Sequence, residues 1–191
     1  MEILKQKLLE SGLVRESGVL QVDHFLKQQS DVVLLDKLAD EFAARYANEG
    51  VTKVLTVEAA GIAVATLTAV KLGVPLVYAT RARQGSAGEH LIAAKLEAPA
   101  GTISADLVVP REYLTEADRV LVIDDFLAQG STLFSLIDLV SASGATLVGC
   151  GVMVEKVFCG GGNEVRARDV RLESLAKIVE MSPEAGIIFE D

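Results

Sequence analysis

The sequence predicts an α/β protein with a central, mostly parallel sheet flanked by helices, and three observations carry that expectation. Two stretches, 53–79 and 120–154, read as strand, helix, strand, and such a unit closes as a right-handed parallel crossover. Half of the 191 residues are apolar while 5% are aromatic, with no Trp. A mixture rich in Val, Ala and Leu suits strands covered by helices better than an aromatic-rich sandwich. The run Val120-Leu121-Val122-Ile123 is apolar at every position, as expected of a strand buried on both faces. The length suits one domain, 1–191, with a sizeable core and a small appendage.

The elements follow in order. Ile3, Leu4, Leu8 and Leu9 predict a short helix from Glu2 to about Ser11, with Gly12 as its C-cap. Val19–Asp23 alternates like a short strand. Asp31 has the character of an N-cap for a longer helix whose core stripe is Leu35, Leu38, Phe42 and Tyr46, ending at Gly50. The first strand–helix–strand unit comprises Lys53–Val57, Ile62–Leu72 closed by Gly73, and Pro75–Ala79. From Thr80 to about Leu91 the apolar pattern lapses into a polar loop containing Arg81, Arg83, Gly85 and Gly88. A long polar loop in a compact domain is a disordered segment or a functional flap. Ile92–Glu97 and Thr102–Val109, joined through Pro99-Ala100-Gly101, predict a hairpin. The second unit comprises 120–123, a helix from about Ser131 to Ser143 stopped by Gly144, and a strand from Ala145 to Val154. A loop at Gly160-Gly161-Gly162 and strands near Leu172–Val179 and Gly186–Phe189 complete the chain.

The net charge is −9 and no basic block stands out. Phosphate backbones attract Lys and Arg clusters, so a dedicated nucleic-acid-binding module is not expected. Cys150 and Cys159 match no metal spacing; the first lies in an apolar run and reads as a small buried side chain. The first residues are charged, unlike a signal peptide, and Lys53, Glu58, Lys71 and Pro75 interrupt the most apolar region. A soluble, cytoplasmic protein with no membrane partner is the expectation.

Chemistry concentrates in the thirteen residues Val120 to Thr132. An apolar strand ends at two carboxylates, Asp124 and Asp125, and ligands of open α/β sheets bind outside that strand edge. After a short turn, Gly130, Ser131 and Thr132 open a helix, where free backbone N–H groups and the helix dipole favour a phosphate. Carboxylates beside a phosphate pocket make sense if they serve ribose hydroxyls or a magnesium ion. A sugar phosphate satisfies both halves. Glu58-Ala59-Ala60-Gly61, between a strand and a helix, has the small residues that let backbone N–H groups approach an anion. Rival motifs are missing: the sequence has no G-x-x-x-x-G-K-[ST], and Gly149-Cys150-Gly151 lacks a third dinucleotide-binding glycine.

The thirteen-residue string resembles the 5-phosphoribosyl diphosphate motif of type I phosphoribosyltransferases. The resemblance covers nearly the whole chain. Val19-Leu20-Gln21-Val22-Asp23-His24-Phe25-Leu26, Val57–Ala63, Ile123–Ala128, Val154-Glu155-Lys156 and Glu173-Ser174-Leu175-Ala176 are similar to the xanthine-using bacterial branch of that family. It implies the type I phosphoribosyltransferase fold, with a small hood from about 1–30 plus C-terminal residues and a flexible flap at about 80–105. It implies that Asp124 and Asp125 bind ribose, that Ala128, Gln129, Gly130, Ser131 and Thr132 cradle the 5′-phosphate, and that Ala59, Ala60 and Gly61 with Arg81 meet pyrophosphate. Leu20, Lys27 and Lys156 fall at purine-contacting positions. The family usually carries Asn where Lys27 stands, and tends to carry Lys where Arg81 stands.

The implied reaction is transfer of the 5-phosphoribosyl group to xanthine, giving xanthosine 5′-monophosphate and pyrophosphate in purine salvage. Magnesium would be held mainly by the diphosphate, and family precedent suggests a homodimer. Related hypoxanthine–guanine enzymes carry an acid at the position of Ala128, so the general base is unassigned. An adenine or other purine phosphoribosyltransferase remains an alternative, as does a non-catalytic regulator that senses 5-phosphoribosyl diphosphate.

Overall fold

A computed structural model describes residues 1–97 and 105–190. The expected turn at 99–101 and the first residues of the strand expected from Thr102 lie outside them. The N-terminal part comprises α1 (Glu2–Ser11), β1 (Leu13–Val14), β2 (Leu20–Gln21), α2 (Val32–Tyr46), β3 (Lys53–Val57) and α3 (Gly61–Leu72). Then follow β4 (Leu76–Arg83), β5 (Leu91–Leu96), β6 (Ala105–Pro110), β7 (Arg119–Leu127) and α4 (Ser131–Ser143). The chain closes with β8 (Thr146–Lys156), α5 (Gly161–Arg166), β9 (Leu172–Ser182) and β10 (Gly186–Phe189).

Eight strands form one sheet in the order β10-β9-β8-β7-β3-β4-β6-β5. The four pairings from β9 to β4 are parallel, and the strands added at either end are antiparallel. A separate ribbon pairs β1 with β2.

Two apolar cores lie on the two faces of the sheet. One gathers Leu4 and Leu8 of α1, the α2 stripe Leu35, Leu38, Phe42 and Tyr46, and Leu121 and Ile123 of β7. The other gathers Leu133, Leu136 and Leu139 of α4 with Val120 and Val122 of the same strand. β7 therefore buries alternate side chains in different cores, which is why its run Val120–Ile123 is apolar at every position. Asp31 caps α2, its Oδ1 accepting from the N–H of Leu34 at 3.1 Å. Cys150 is buried, and its carbonyl accepts from the Tyr46 hydroxyl at 2.9 Å.

Several boundaries differ from expectation. α2 stops at Tyr46, and a turn carries the chain to Gly50. Of the expected strand 19–23, only Leu20 and Gln21 pair, opposite Val14 and Leu13. Thr80 to Arg83 do not start a loop: they extend β4 by pairing with Val108 to Ala105 of β6. Near a sheet edge an antiparallel strand has one face in water, so exposed Arg81 and Arg83 fit where a buried parallel strand would exclude them. β7 runs on through Asp124 and Asp125 to Leu127 because its pairing with β8 continues to Glu155. The glycine loop at 160–162 enters the helix α5, whose first two residues are buried.

Candidate functional site

The central sheet changes winding direction between β3 and β7: the chain leaves β3 for β4 on one side and β7 for β8 on the other. Such a switch point opens a crevice beyond the carboxyl ends of the strands. The turn after β3 and the loop after β7 both meet it. Gly61, the first residue of α3, sits so tightly there that a Cβ would lie 2.5 Å from Oγ1 of Thr56 and 3.1 Å from Oδ1 of Asp124. The lack of a side chain lets the two motifs touch. The Glu58–Ala59 peptide is cis, and Oε1 of Glu58 accepts from the N–H of Arg81 at 2.9 Å.

Asp124 is 4% exposed, and its Oδ1 accepts from the N–H of Asp125 at 2.9 Å. Burial, and then the neighbouring Asp125 charge, push its carboxyl well above the ordinary aspartate range; the Arg81 charge pulls weakly the other way. A carboxyl poised nearer protonation can donate to a sugar hydroxyl as well as accept from one. Asp125 accepts from the N–H of Phe126 at 2.9 Å, and its Oδ2 lies 3.8 Å from Nζ of Lys27. The same ammonium stands 5.3 Å above the Phe126 ring.

The loop Ala128–Gly130 leads directly into α4. Gly130 has φ 92°, a left-handed conformation, and a Cβ there would come 2.8 Å from the Phe134 ring. Its carbonyl accepts from Phe134 N–H at 2.8 Å, leaving the amides of the first helical turn, at 131–133, free of intrahelical partners. A cleft of about 300 Å³ is lined by residues 126–133 and Cys159. The loop is backed by α5: Gly161 N–H donates to the Ala128 carbonyl at 3.0 Å, and a Cβ at Gly161 would overlap that oxygen.

The third group of expected residues is more dispersed. Leu20 is buried in the N-terminal ribbon, and Lys156 ends β8, with Nζ 3.4 Å from the Gly18 carbonyl. Burial lowers the Lys156 ammonium below the ordinary lysine value; Cys159 opposes that shift, and the Lys27 charge adds to it. Lys27, from the same N-terminal segment, reaches Asp125 rather than standing alone over the crevice. The structure therefore gathers the two acids, the glycine turn after β3, Arg81 and the 128–132 loop along one sheet edge, with Leu20, Lys27 and Lys156 beside them. Of the two histidines, His24 packs edge-on against Phe25 at 5.2 Å, and His90 lies just before β5, its carbonyl accepting from Arg111 N–H.

Sequence reasoning missed what supports the site: Phe126 beneath Lys27, Cys159 in the cleft lined by 126–133, Gly161 behind the loop, and the buried Glu155 paired with Arg166. The Gly160-Gly161-Gly162 run was a signal for the third of these, since consecutive buried glycines mark close approach. Among the described residues no three His, Cys, Asp or Glu side chains converge as metal ligands. Nor is any helix there long and apolar enough to cross a membrane.

Residues 21–179 match the family model described as the phosphoribosyl transferase domain. The xanthine phosphoribosyltransferase of Lachnoclostridium phytofermentans is 39% identical over 188 residues, covering 98% of this chain and 97% of that protein. The xanthine phosphoribosyltransferase of Moorella thermoacetica is 43% identical over 178 residues, covering 93% and 91%. Among solved structures, adenine phosphoribosyltransferase from Rhodothermus marinus superposes with a TM-score of 0.75 at 18% identity, covering 93% of this chain and all 100% of that one. The Giardia lamblia enzyme complexed with 9-deazaadenine gives 0.72 at 24% identity, covering 86% and 87%. These structural likenesses establish the fold, with its mostly parallel sheet and flanking helices.

Proposed function

The chain belongs to the phosphoribosyltransferase family, and from that membership we propose that it transfers the 5-phosphoribosyl group of 5-phosphoribosyl diphosphate to xanthine. The observation that carries the reading is that Asp124 and Asp125 stand at the end of β7 beside the unpartnered amides at the start of α4. Relatives at about 40% identity named for xanthine favour that base, whereas the adenine enzymes share the fold at under 25% identity. A non-catalytic sensor that binds nucleic acid would need a basic surface, and the net charge of −9 argues for the enzyme.

In this reading Asp124 and Asp125 take the ribose hydroxyls, and residues 128–132 take the 5′-phosphate. Ala59, Ala60 and Gly61, with Arg81, receive the diphosphate. Leu20 packs on the purine, Lys156 donates to an oxopurine carbonyl, and Lys27 donates to the base after leaving Asp125. The purine N9 forms a bond to C1′ as the bond from C1′ to the diphosphate oxygen breaks, and the N9 proton passes to solvent or to a group of the substrates. Positive charge develops on the ribose, so fixed positioning and nearby carboxylates should supply most of the rate. Magnesium would be held mainly by the diphosphate of the co-substrate, where it would neutralise charge on the leaving group, and the residues named above would orient that complex.

The segment at 1–30 with β9 and β10 would form the hood. The tip between β4 and β5 would close as a flap, with slower hydrogen exchange at 84–90 after 5-phosphoribosyl diphosphate binds. A cytoplasmic homodimer completes the proposal, checked by sedimentation of the purified chain. The deciding experiment is turnover of xanthine, guanine, hypoxanthine and adenine with 5-phosphoribosyl diphosphate and magnesium. Xanthine should lead; adenine as the best substrate would overturn the base assignment while leaving the reaction class intact.

A further inference from the structure

We propose that Glu155 is a positioning residue that, with Arg166 and Ser174, holds the purine lysine and the phosphate loop in register as one unit. The inference rests on the reading of the site given above.

Glu155 is 1% exposed and directly precedes Lys156 at the end of β8. Nη1 of Arg166 donates to its Oε1 at 2.8 Å and Nη2 to its Oε2 at 2.7 Å. The Ser174 hydroxyl also donates to Oε2. Burial by itself would raise this carboxyl, yet the Arg166 and Ser174 hydrogen bonds hold it below the ordinary glutamate value, so it stays ionised at neutral pH. The carboxylate also packs against the first turn of α5, the helix that ends at Arg166, where a Cβ at Gly162 would overlap Oε1. The preceding residue, Gly161, supports the phosphate loop through its bond to the Ala128 carbonyl at 3.0 Å. One continuous contact path thus runs from Lys156 through Glu155 and the first turn of α5 to Ala128.

A bland account makes the pair a strut joining β8, β9 and α5. For stability alone that is a poor device, since a buried ion pair is often no better than apolar residues of similar volume. What the charged fork adds is fixed geometry: a planar guanidinium and a planar carboxylate meet in one orientation. That orientation sets both substrate contacts at once.

The test compares Glu155→Gln with the double variant Glu155→Met/Arg166→Met, which replaces the pair by apolar groups and removes the unpaired charge. Melting temperature, calorimetric affinity for 5-phosphoribosyl diphosphate with magnesium, kcat and KM for xanthine, and hydrogen exchange at 128–132 are measured on the full chain. In both variants, affinity for the diphosphate and kcat/KM for xanthine should each fall about tenfold, and exchange at 128–132 should quicken. The double variant should do so with a melting temperature close to wild type. Wild-type affinity and kcat/KM in a folded double variant would overturn the proposal, as would a loss confined to one substrate. Should Glu155→Gln fail to fold, the double variant decides alone. If wild type uses no purine, the functional reading fails by itself, while exchange at 128–132 in the variants still tests the link.

Discussion

The two halves of the crevice are built differently. The half to which the proposed function assigns ribose and its 5′-phosphate comes from continuous chain: Asp124 and Asp125 on β7, the turn, and the first residues of α4 lie within nine positions of one another. The half proposed for the base is assembled from Leu20, Lys27 and Lys156, which come together only when the N-terminal segment folds over the end of β8. A ligand whose charge and shape never vary, a ribose phosphate, can be met by one rigid local motif on the central strands. A base that differs between relatives would be met by residues on separate elements, which can change without altering the local motif on β7 and α4. If this division holds, damage to the first half should abolish transfer to every purine, and damage to the second should re-rank purines.

The largest effect is therefore expected from Asp124→Asn with Asp125→Asn. Turnover of all purines should fall on the order of 100-fold or more, because ribose is no longer held in line for displacement. Folding should not suffer. The folded-state carboxyl of Asp124 lies above its unfolded value, so its ionisation costs stability that is absent at low pH and grows as pH rises past the unfolded value. Asn at 124 removes that cost, and the variant should melt at or above the wild-type temperature at pH 7. Near-normal turnover in the folded variant would dissolve the distinction between the halves.

This contrast also explains how much was legible in the sequence. The parallel core and the placement of the 128–132 loop beside the two acids were readable because their determinants are local: an apolar run, two acids, a glycine, a helix start. The extension of β4 to Arg83 was not, because pairing with β6 overrides a polar stretch. Nor was the meaning of Gly161 and Gly162, whose neighbours Ala128 and Glu155 are distant in the chain. Leu20, Lys27 and Lys156 were placed by family resemblance, since neither spacing nor composition links residues so far apart.

A smaller and more selective effect is expected from Lys156→Ala. The half-buried ammonium lies 3.4 Å from the Gly18 carbonyl in the free protein, a weak contact it can give up for a purine oxygen. A hydrogen bond to a charged group is worth about 2 kcal/mol, so kcat/KM for xanthine should drop roughly 30-fold. Adenine, with an amino group at C6 and nothing at C2, has no acceptor to lose there, and its kcat/KM should stay within about twofold by the same reasoning. Parallel losses for both bases would mean that Lys156 serves the shared half of the site instead.

The smallest effect should come from Lys27→Asn, which restores the residue usual in the family. Two consequences oppose each other. In the free protein Lys27 is paired with Asp125 at 3.8 Å, and its side chain is 41% exposed. Such a pair is worth about 1 kcal/mol or less. Donation to the base requires breaking it, so the gain at the purine is offset by the loss at Asp125. An Asn amide can also donate to a purine carbonyl, with no ion pair to surrender. The net change in kcat/KM for xanthine should then stay within about fivefold, the range of a 1 kcal/mol term. The salt dependence of the KM for 5-phosphoribosyl diphosphate should shift, because screening weakens the Lys27–Asp125 pair in wild type and finds nothing to weaken in the variant. A loss well beyond tenfold, confined to oxopurines, would concentrate base recognition in Lys27. The base half would then hang on one side chain touching the ribose acid, and the boundary between the two halves would run through Asp125.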